Sequence, residues 1–232
     1  MRTKYIEPQV NTAGLVAHYK LNKGLTGTAQ VFDYSPNGNV GTVSADGAFP
    51  QYPGIYFEGA VFPATEGKIT VTDTDDLSFE AGTQDFSISA WAKFPAAVAI
   101  YTVLDKRDGV DDGWRLVNVN TVIWLQIDAI DIGKAVVGVS AVPIADTLWH
   151  HIGATVDRDG NGQIYIDSVA SGDATAISGE AMDIANADFT MAYVVEDSYT
   201  EVTIGDIMIF DILKSATEIK DIYELTRRNY NV

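Results

Sequence analysis

Carboxylates are the commonest chemistry-bearing side chains here: 32 acidic residues stand against 15 basic ones, for a formal charge of −17, and 23 of the 32 are Asp. Two carboxyl groups about 5–5.5 Å apart would make a retaining glycosidase, one acting as nucleophile and the other as acid. The nearest approach is Glu196-Asp-Ser-Tyr-Thr-Glu201, where Glu196 and Asp197 are adjacent and fall on opposite faces of a strand. Other nucleophiles fare no better. The chain has no cysteine, no Gly-x-Ser-x-Gly elbow and no His-Glu-x-x-His zinc motif. His150 and His151 are neighbours in an extended segment and cannot both face one metal. The residues therefore point away from an enzyme, and no catalytic residue is assigned.

Three further constellations invite chemistry. Asp157-x-Asp159-x-Asn161-Gly162 imitates the start of an EF-hand loop, but its twelfth position is Ser168 and its flanks read as strands, so it is predicted to be a hairpin turn. Asp105, Asp108, Asp111 and Asp112 surround Lys106 and Arg107 between two strands. This group reads as a solvated connection, with a ligand-facing loop as the alternative. Tyr101, Trp114 and Trp124 lie on or beside the middle strands, where an exposed ring could pack against sugar C–H groups. The competing fate is the core, where a large ring buries roughly 150–250 Å². Trp91, Trp114 and Trp149 are expected there, which leaves Tyr101 and Trp124 as the ligand-binding candidates.

The elements that must position these residues read as strands. From Trp149 to Gly172, two alternating runs flank one polar turn: Trp149, His151, Gly153 and Thr155 face one way, His150, Ile152, Ala154 and Val156 the other, and Ile164 and Ile166 resume the rhythm. Similar runs fall near 15–21, 41–44, 54–57, 68–71, 86–94, 99–106, 114–119, 122–128, 134–140, 150–157, 163–166, 189–194 and 202–210, punctuated by Gly, Pro, Asn and Asp. Many short strands without βαβ alternation predict an all-β, antiparallel two-sheet jelly-roll sandwich. Ser215-Ala-Thr-Glu218 is a capping box, and the short C-terminal helix after it carries Ile219, Ile222 and Tyr223 on one stripe. Residues 1–13 read as an arm and residues 14–232 as one domain, long enough to bury about 70% of its unfolded surface.

Four segments together resemble a known family. The stretch from Trp149 is similar to the "W-H-H-(V/I)-A-A-T-(Y/V)-D … (L/I)-Y-(V/I)-D-G" signature of laminin-G-like domains in the concanavalin A-like lectin/glucanase superfamily. Asp85 to Phe94, Asp33 to Thr42 and Ile204 to Glu218 resemble its "F-T-I-S-A-W-(V/A)-K" strand, its "D-x-S-G-N-G-N-x-G-T" loop and its late strand-to-helix segment, in the expected order. The resemblance implies a concanavalin A-like jelly roll and a carbohydrate or cell-surface glycan as partner. It also implies a structural calcium where the early loop meets the late strand, with Asp33, Asn37, Asn39 and Asp206 as ligands, although Gly205 stands where the family often has an acidic residue. Asp33-Tyr-Ser-Pro-Asn-Gly can equally be a turn held by Asx-type hydrogen bonds. The glucanases of the superfamily carry Glu-x-Asp-x-Glu or Glu-x-Asp-x-x-Glu on one strand, and neither pattern occurs here.

Charge narrows the partners further. A surface at −17 repels nucleic acid and anionic lipid, no apolar run approaches the roughly 18–20 residues that span a bilayer, and the first residues lack the apolar stretch of a secretory signal. The expected setting is extracellular or a virion surface. The leading expectation is a non-catalytic, lectin-like glycan-binding or adhesion module, possible as a virion decoration. A ligand-free assembly protein contacting virion subunits or itself through the arm comes second, and a glucanase-like hydrolase third.

Overall fold

The computed structural model describes residues 9–21, 30–44, 59–62, 67–79, 84–96, 99–108, 112–129, 133–177, 187–194, 198–199 and 201–232. The candidate strand at 54–57, Asp111 and Glu196 lie outside these residues. In chain order the strands are β1 (Leu15–Lys20), β2 (Gln30–Val31), β3 (Gly41–Val43), β4 (Ala60–Phe62), β5 (Ile69–Val71), β6 (Phe86–Lys93), β7 (Ile100–Asp108), β8 (Asp112–Val119) and β9 (Val122–Ala129). There follow β10 (Gly133–Val139), β11 (His150–Val156), β12 (Asn161–Ile166), β13 (Val169–Ala176), β14 (Phe189–Met191), β15 (Tyr193–Val194), β16 (Ser198–Tyr199), β17 (Val202–Phe210) and the helix α1 (Ala216–Thr226).

All the named pairings are antiparallel. A front layer runs β1-β17-β6-β11-β12, with β4 also on β17, and a back layer runs β10-β9-β8-β7-β14-β5-β3-β2. Strand β13 joins them by pairing with β12 on one side and β10 on the other. At this crossing Gly172 adopts φ +80°, and a Cβ there would strike the Val139 carbonyl, so only glycine lets the two layers approach so closely. The far edges also meet, through a bridge between Tyr19 and Asp33, so the sandwich is nearly a closed sheet. The all-β jelly roll expected from the alternation is the observed architecture.

Packing follows the alternation. On β11, Ile152, Ala154 and Val156 point between the layers and are fully buried. Phe79 stacks on Phe86 at 4.4 Å between ring centroids, and Trp114 lies 5.7–6.2 Å from Phe79, Phe86 and Phe189 at the centre of the sandwich. The opposite face of the front layer is also covered, because α1 lies on it. Ser215 accepts from the Glu218 N–H at 3.3 Å and Glu218 accepts from the Ser215 N–H at 2.9 Å, which completes the capping box. Beneath the helix, Trp91 stacks on Tyr230 at 4.2 Å and Tyr223 at 5.8 Å, Trp149 lies 4.8 Å from Tyr230, and the Trp91 indole N–H donates to Thr226 Oγ1 at 2.9 Å. Trp91 and Trp149 are therefore buried as expected, but in a second cluster under the helix, whereas Trp114 fills the sandwich.

The described end of the N-terminal arm docks against the start of α1. Lys214 Nζ donates to the Ala13 carbonyl at 2.9 Å and Asn11 Nδ2 to Glu218 Oε1 at 3.1 Å. Replacing Trp91 with Ala removes the ring on which the helix sits and leaves a cavity. The expected cost is roughly 3–5 kcal/mol in urea denaturation, as for other buried large aromatics.

Candidate functional site

The early loop and the late strand do come together, and His18 is the residue between them. Asp33 Oδ1 accepts the backbone N–H of His18 and of Ser35, each at 2.8 Å, while Oδ2 accepts the Asn39 N–H at 2.8 Å and lies 2.7 Å from the Ser35 hydroxyl. The His18 side chain turns the other way and its Nε2 lies 2.7 Å from Asp206 Oδ1. Tyr230 then fixes Asp206 from behind, its hydroxyl accepting the Asp206 N–H at 2.6 Å. Gly205 makes this possible: a Cβ at that position would lie 2.7 Å from Tyr230 Cζ. An acidic side chain there is excluded by the tyrosine ring.

This geometry bears on the expected calcium ligands. A calcium ion gathers six to eight oxygens at about 2.3–2.6 Å. Both oxygens of Asp33 instead face N–H donors, Asn39 Oδ1 accepts from Thr74 at 3.2 Å while its Nδ2 donates to the Val16 carbonyl at 3.1 Å, and Asp206 is held by His18. Asn37 is exposed. Among the described residues, no group of three or more His, Asp or Glu is placed to hold a metal. Asp33, Asn37, Asn39 and Asp206 as arranged here do not fit a shared ion; the Asx-type reading of the loop is the one its hydrogen bonds follow.

The ligand-binding candidates separate by strand parity. Tyr101 pairs in register with Asn118, on the face that also carries Trp114 and Leu116, and is buried 6.1 Å from Phe94. Trp124 faces the other way, out from the back layer, and is half-buried. It shares that face with Gln126, Arg115 and Asp105, which lie side by side across β9, β8 and β7. Arg115 Nε donates to Gln126 Oε1 at 2.9 Å, and Arg107 grips Asp105 with Nε and Nη2 at 2.8–3.1 Å. The expectation of a solvated acidic connection fails for Asp105, which is fully buried within β7, and burial raises its pKa against the lowering pull of Arg107. The signal was its spacing of two from Arg107, which puts both side chains on one face of a strand. Lys106 points into the opposite side, its Nζ donating to Asp73 Oδ1 at 2.6 Å and to the Ala187 carbonyl at 2.8 Å.

Neither histidine of the 150–151 pair forms a catalytic arrangement. His151 is wholly buried, with Nε2 2.8 Å from Ser89 Oγ, and burial lowers its pKa to about 4. His150 sits at the rim between Asp167 at 2.8 Å and Asp146 at 3.0 Å, whose carboxylates raise its pKa. The Asp157 motif is the predicted turn: Gly160 N–H donates to the Asp157 carbonyl at 3.0 Å and Asp157 N–H to the Asn161 carbonyl at 3.1 Å. Linkage gives the two histidines opposite pH signatures. The His150 clamp contributes fully below about pH 6.5, the unfolded value, and is lost as pH rises through its higher folded pKa. Folding is weakened by His151 as pH falls from about 6.5 toward 4, because the unfolded chain takes up the proton first. Histidine ring titration by NMR should show one ring above, and one well below, the ordinary value, and His150→Gln should remove only the former dependence.

Comparison with known proteins places this geometry. A family profile described as the concanavalin A-like lectin/glucanases superfamily, laminin-G type, matches residues 64–220. Botulinum neurotoxin type F of Clostridium botulinum is 28% identical over 175 residues, which is 70% of this chain and 14% of the toxin. The binding domain of botulinum neurotoxin DC, solved in complex with rat synaptotagmin II, superposes with a TM-score of 0.70 at 18% identity over 91% of this chain and 51% of that one. The ligand-binding domain of serotype D, solved with N-acetylneuraminic acid, gives 0.68 at 16% identity over 91% and 50%. The chain thus spans about half the length of these solved domains and a small part of the toxin, and at such identities the likeness is one of fold. By fold and by the match over 64–220, the chain belongs to the concanavalin A-like lectin/glucanases superfamily.

Proposed function

We propose that this chain is a non-catalytic, lectin-like module that binds cell-surface glycans outside the cell. The observation that carries the reading is the outward face of the back layer, where half-buried Trp124 stands near half-buried Arg115, whose Nε is held by the buried Gln126. A ring that packs on sugar C–H groups next to fixed polar groups is the usual composition of a small-ligand site. Support comes from solved domains of similar fold, among them a binding domain in complex with rat synaptotagmin II, a ligand-binding domain in complex with N-acetylneuraminic acid, and botulinum neurotoxin type C, whose cell entry is described as dependent on interaction with two ganglioside molecules. They are toxin domains, so they lend nothing to a virion setting. Membrane insertion by a helix finds no candidate, since no described helix is long and apolar enough to cross a bilayer.

The aromatic role passes to Trp124 alone, because Tyr101 is spent in the core. Glycan-array binding should be detectable for the wild-type chain and fall at least about tenfold in Trp124→Ala, a loss in line with one ring–sugar contact. Silence across neutral and acidic glycans would contradict the reading. Polysaccharide hydrolysis abolished by Glu201→Gln would contradict the non-catalytic part of it.

A further inference from the structure

A groove on the other layer is used by nothing described so far. It runs between the outward face of β1 and β17 and the end of α1 and encloses about 440 Å³, within the range of small-molecule sites. Met208 lies on its floor, and its cationic side chains come from two distant parts of the chain. Lys20, the last residue of β1, projects outward with its ammonium 4.9 Å from the centroid of the Tyr34 ring. His18 lies two residues earlier, on the same face, and is anchored by Asp206. Arg228 comes from the 3-10 turn, Arg227–Asn229, that follows α1. Tyr230, two residues on, fixes this turn to β17 through its bond with the Asp206 N–H.

Charge gives the groove its character. Among the described residues, no ion pair engages Lys20 or Arg228, and the single carboxylate lining the groove, Asp206, is already held by His18. On a chain at −17, this groove is lined by Lys20 and Arg228 against the one carboxylate of Asp206, so its charged lining is more positive than negative. Such an island attracts an anion while the surrounding surface repels an extended polyanion, so the fitting ligand carries its charge at one point. A guanidinium offers paired N–H donors that match a carboxylate.

We propose that the groove between β1, β17 and the end of α1 binds a saccharide through its carboxylate, held by Lys20 and Arg228. The saccharide part rests on the glycan reading above; the carboxylate part rests on the two cations that line the groove and on the paired donors of the guanidinium. The site is separate from Trp124, which lies on the other layer.

The test is NMR titration of the full chain with methyl β-glucuronoside, methyl β-glucoside and acetate at equal millimolar concentrations. The uronoside should shift the amides of Lys20, Asp206 and Arg228, while the glucoside and acetate leave them in place. Lys20→Gln and Arg228→Gln, both at exposed positions, should each weaken uronoside binding roughly tenfold. Equal binding of the glucoside would overturn the carboxylate assignment while sparing the glycan reading. Equal binding of acetate would reduce the groove to a bare anion site and overturn the proposal. It would also be overturned by the absence of any shift or by variants that bind the uronoside like the wild type.

Discussion

The carboxylate of Asp33 is where this sandwich closes. Three backbone N–H groups from two separate segments converge on its two oxygens, and the bridge from Asp33 to Tyr19 ties the last strand of the back layer to the first strand of the front one. Hydrogen bonds to an ionised acceptor are the stronger kind, and buried N–H groups left without one carry the full cost of desolvation. Tyr19 reinforces the same joint by donating its hydroxyl to the Asn39 carbonyl at 2.6 Å. Burial and the nearby Asp33 charge push the Tyr19 pKa up, so the phenol stays a donor. Everything on the outward side of β1, including His18, Lys20 and the groove beside them, is positioned by this closure.

The second constraint is that the front layer is covered on both faces. Its inner face meets the back layer and its outer face meets α1, so β6 is buried at seven of its eight residues. A sheet of that kind cannot offer a broad ligand surface on its helix side. What remains for a ligand is the half-buried ring of Trp124 on the outward side of the back layer, where Asp105 and Gln126 are themselves buried, and the groove left where α1 stops short of β1. The two proposed sites fall on these two surfaces, and the burial pattern rather than any motif accounts for their location.

Much of this was legible in the sequence. The two-residue rhythm of β11 and β12 fixed their inward faces, the Ser215 to Glu218 spacing fixed the start of α1, and the missing bidentate Glu correctly reduced the Asp157 run to a turn. What escaped was set by distant partners. Trp91 and Trp149 looked like sandwich core because alternation marks a buried face without saying what buries it, and the answer, Tyr223 and Tyr230, lies more than 70 residues away. The expected meeting of the Asp33 loop with Asp206 is present, but His18, which stands between them, and Tyr230, which occupies the space beside Gly205, were not foreseen. Buried Asp105 was read as solvated because a charge is most often exposed; only the Arg107 two positions on, sharing its face, marked it as paired.

Amide hydrogen exchange at His18, Ser35 and Asn39 tests the closure most directly, measured in the wild type and in Asp33→Ala, each with calcium and with a chelator. Slow exchange is expected at all three amides in the wild type whether or not calcium is present. Asp33→Ala should lose that protection, with a global destabilisation of at least about 2 kcal/mol. Protection that appears only with calcium, or that survives in Asp33→Ala, would contradict closure by Asp33.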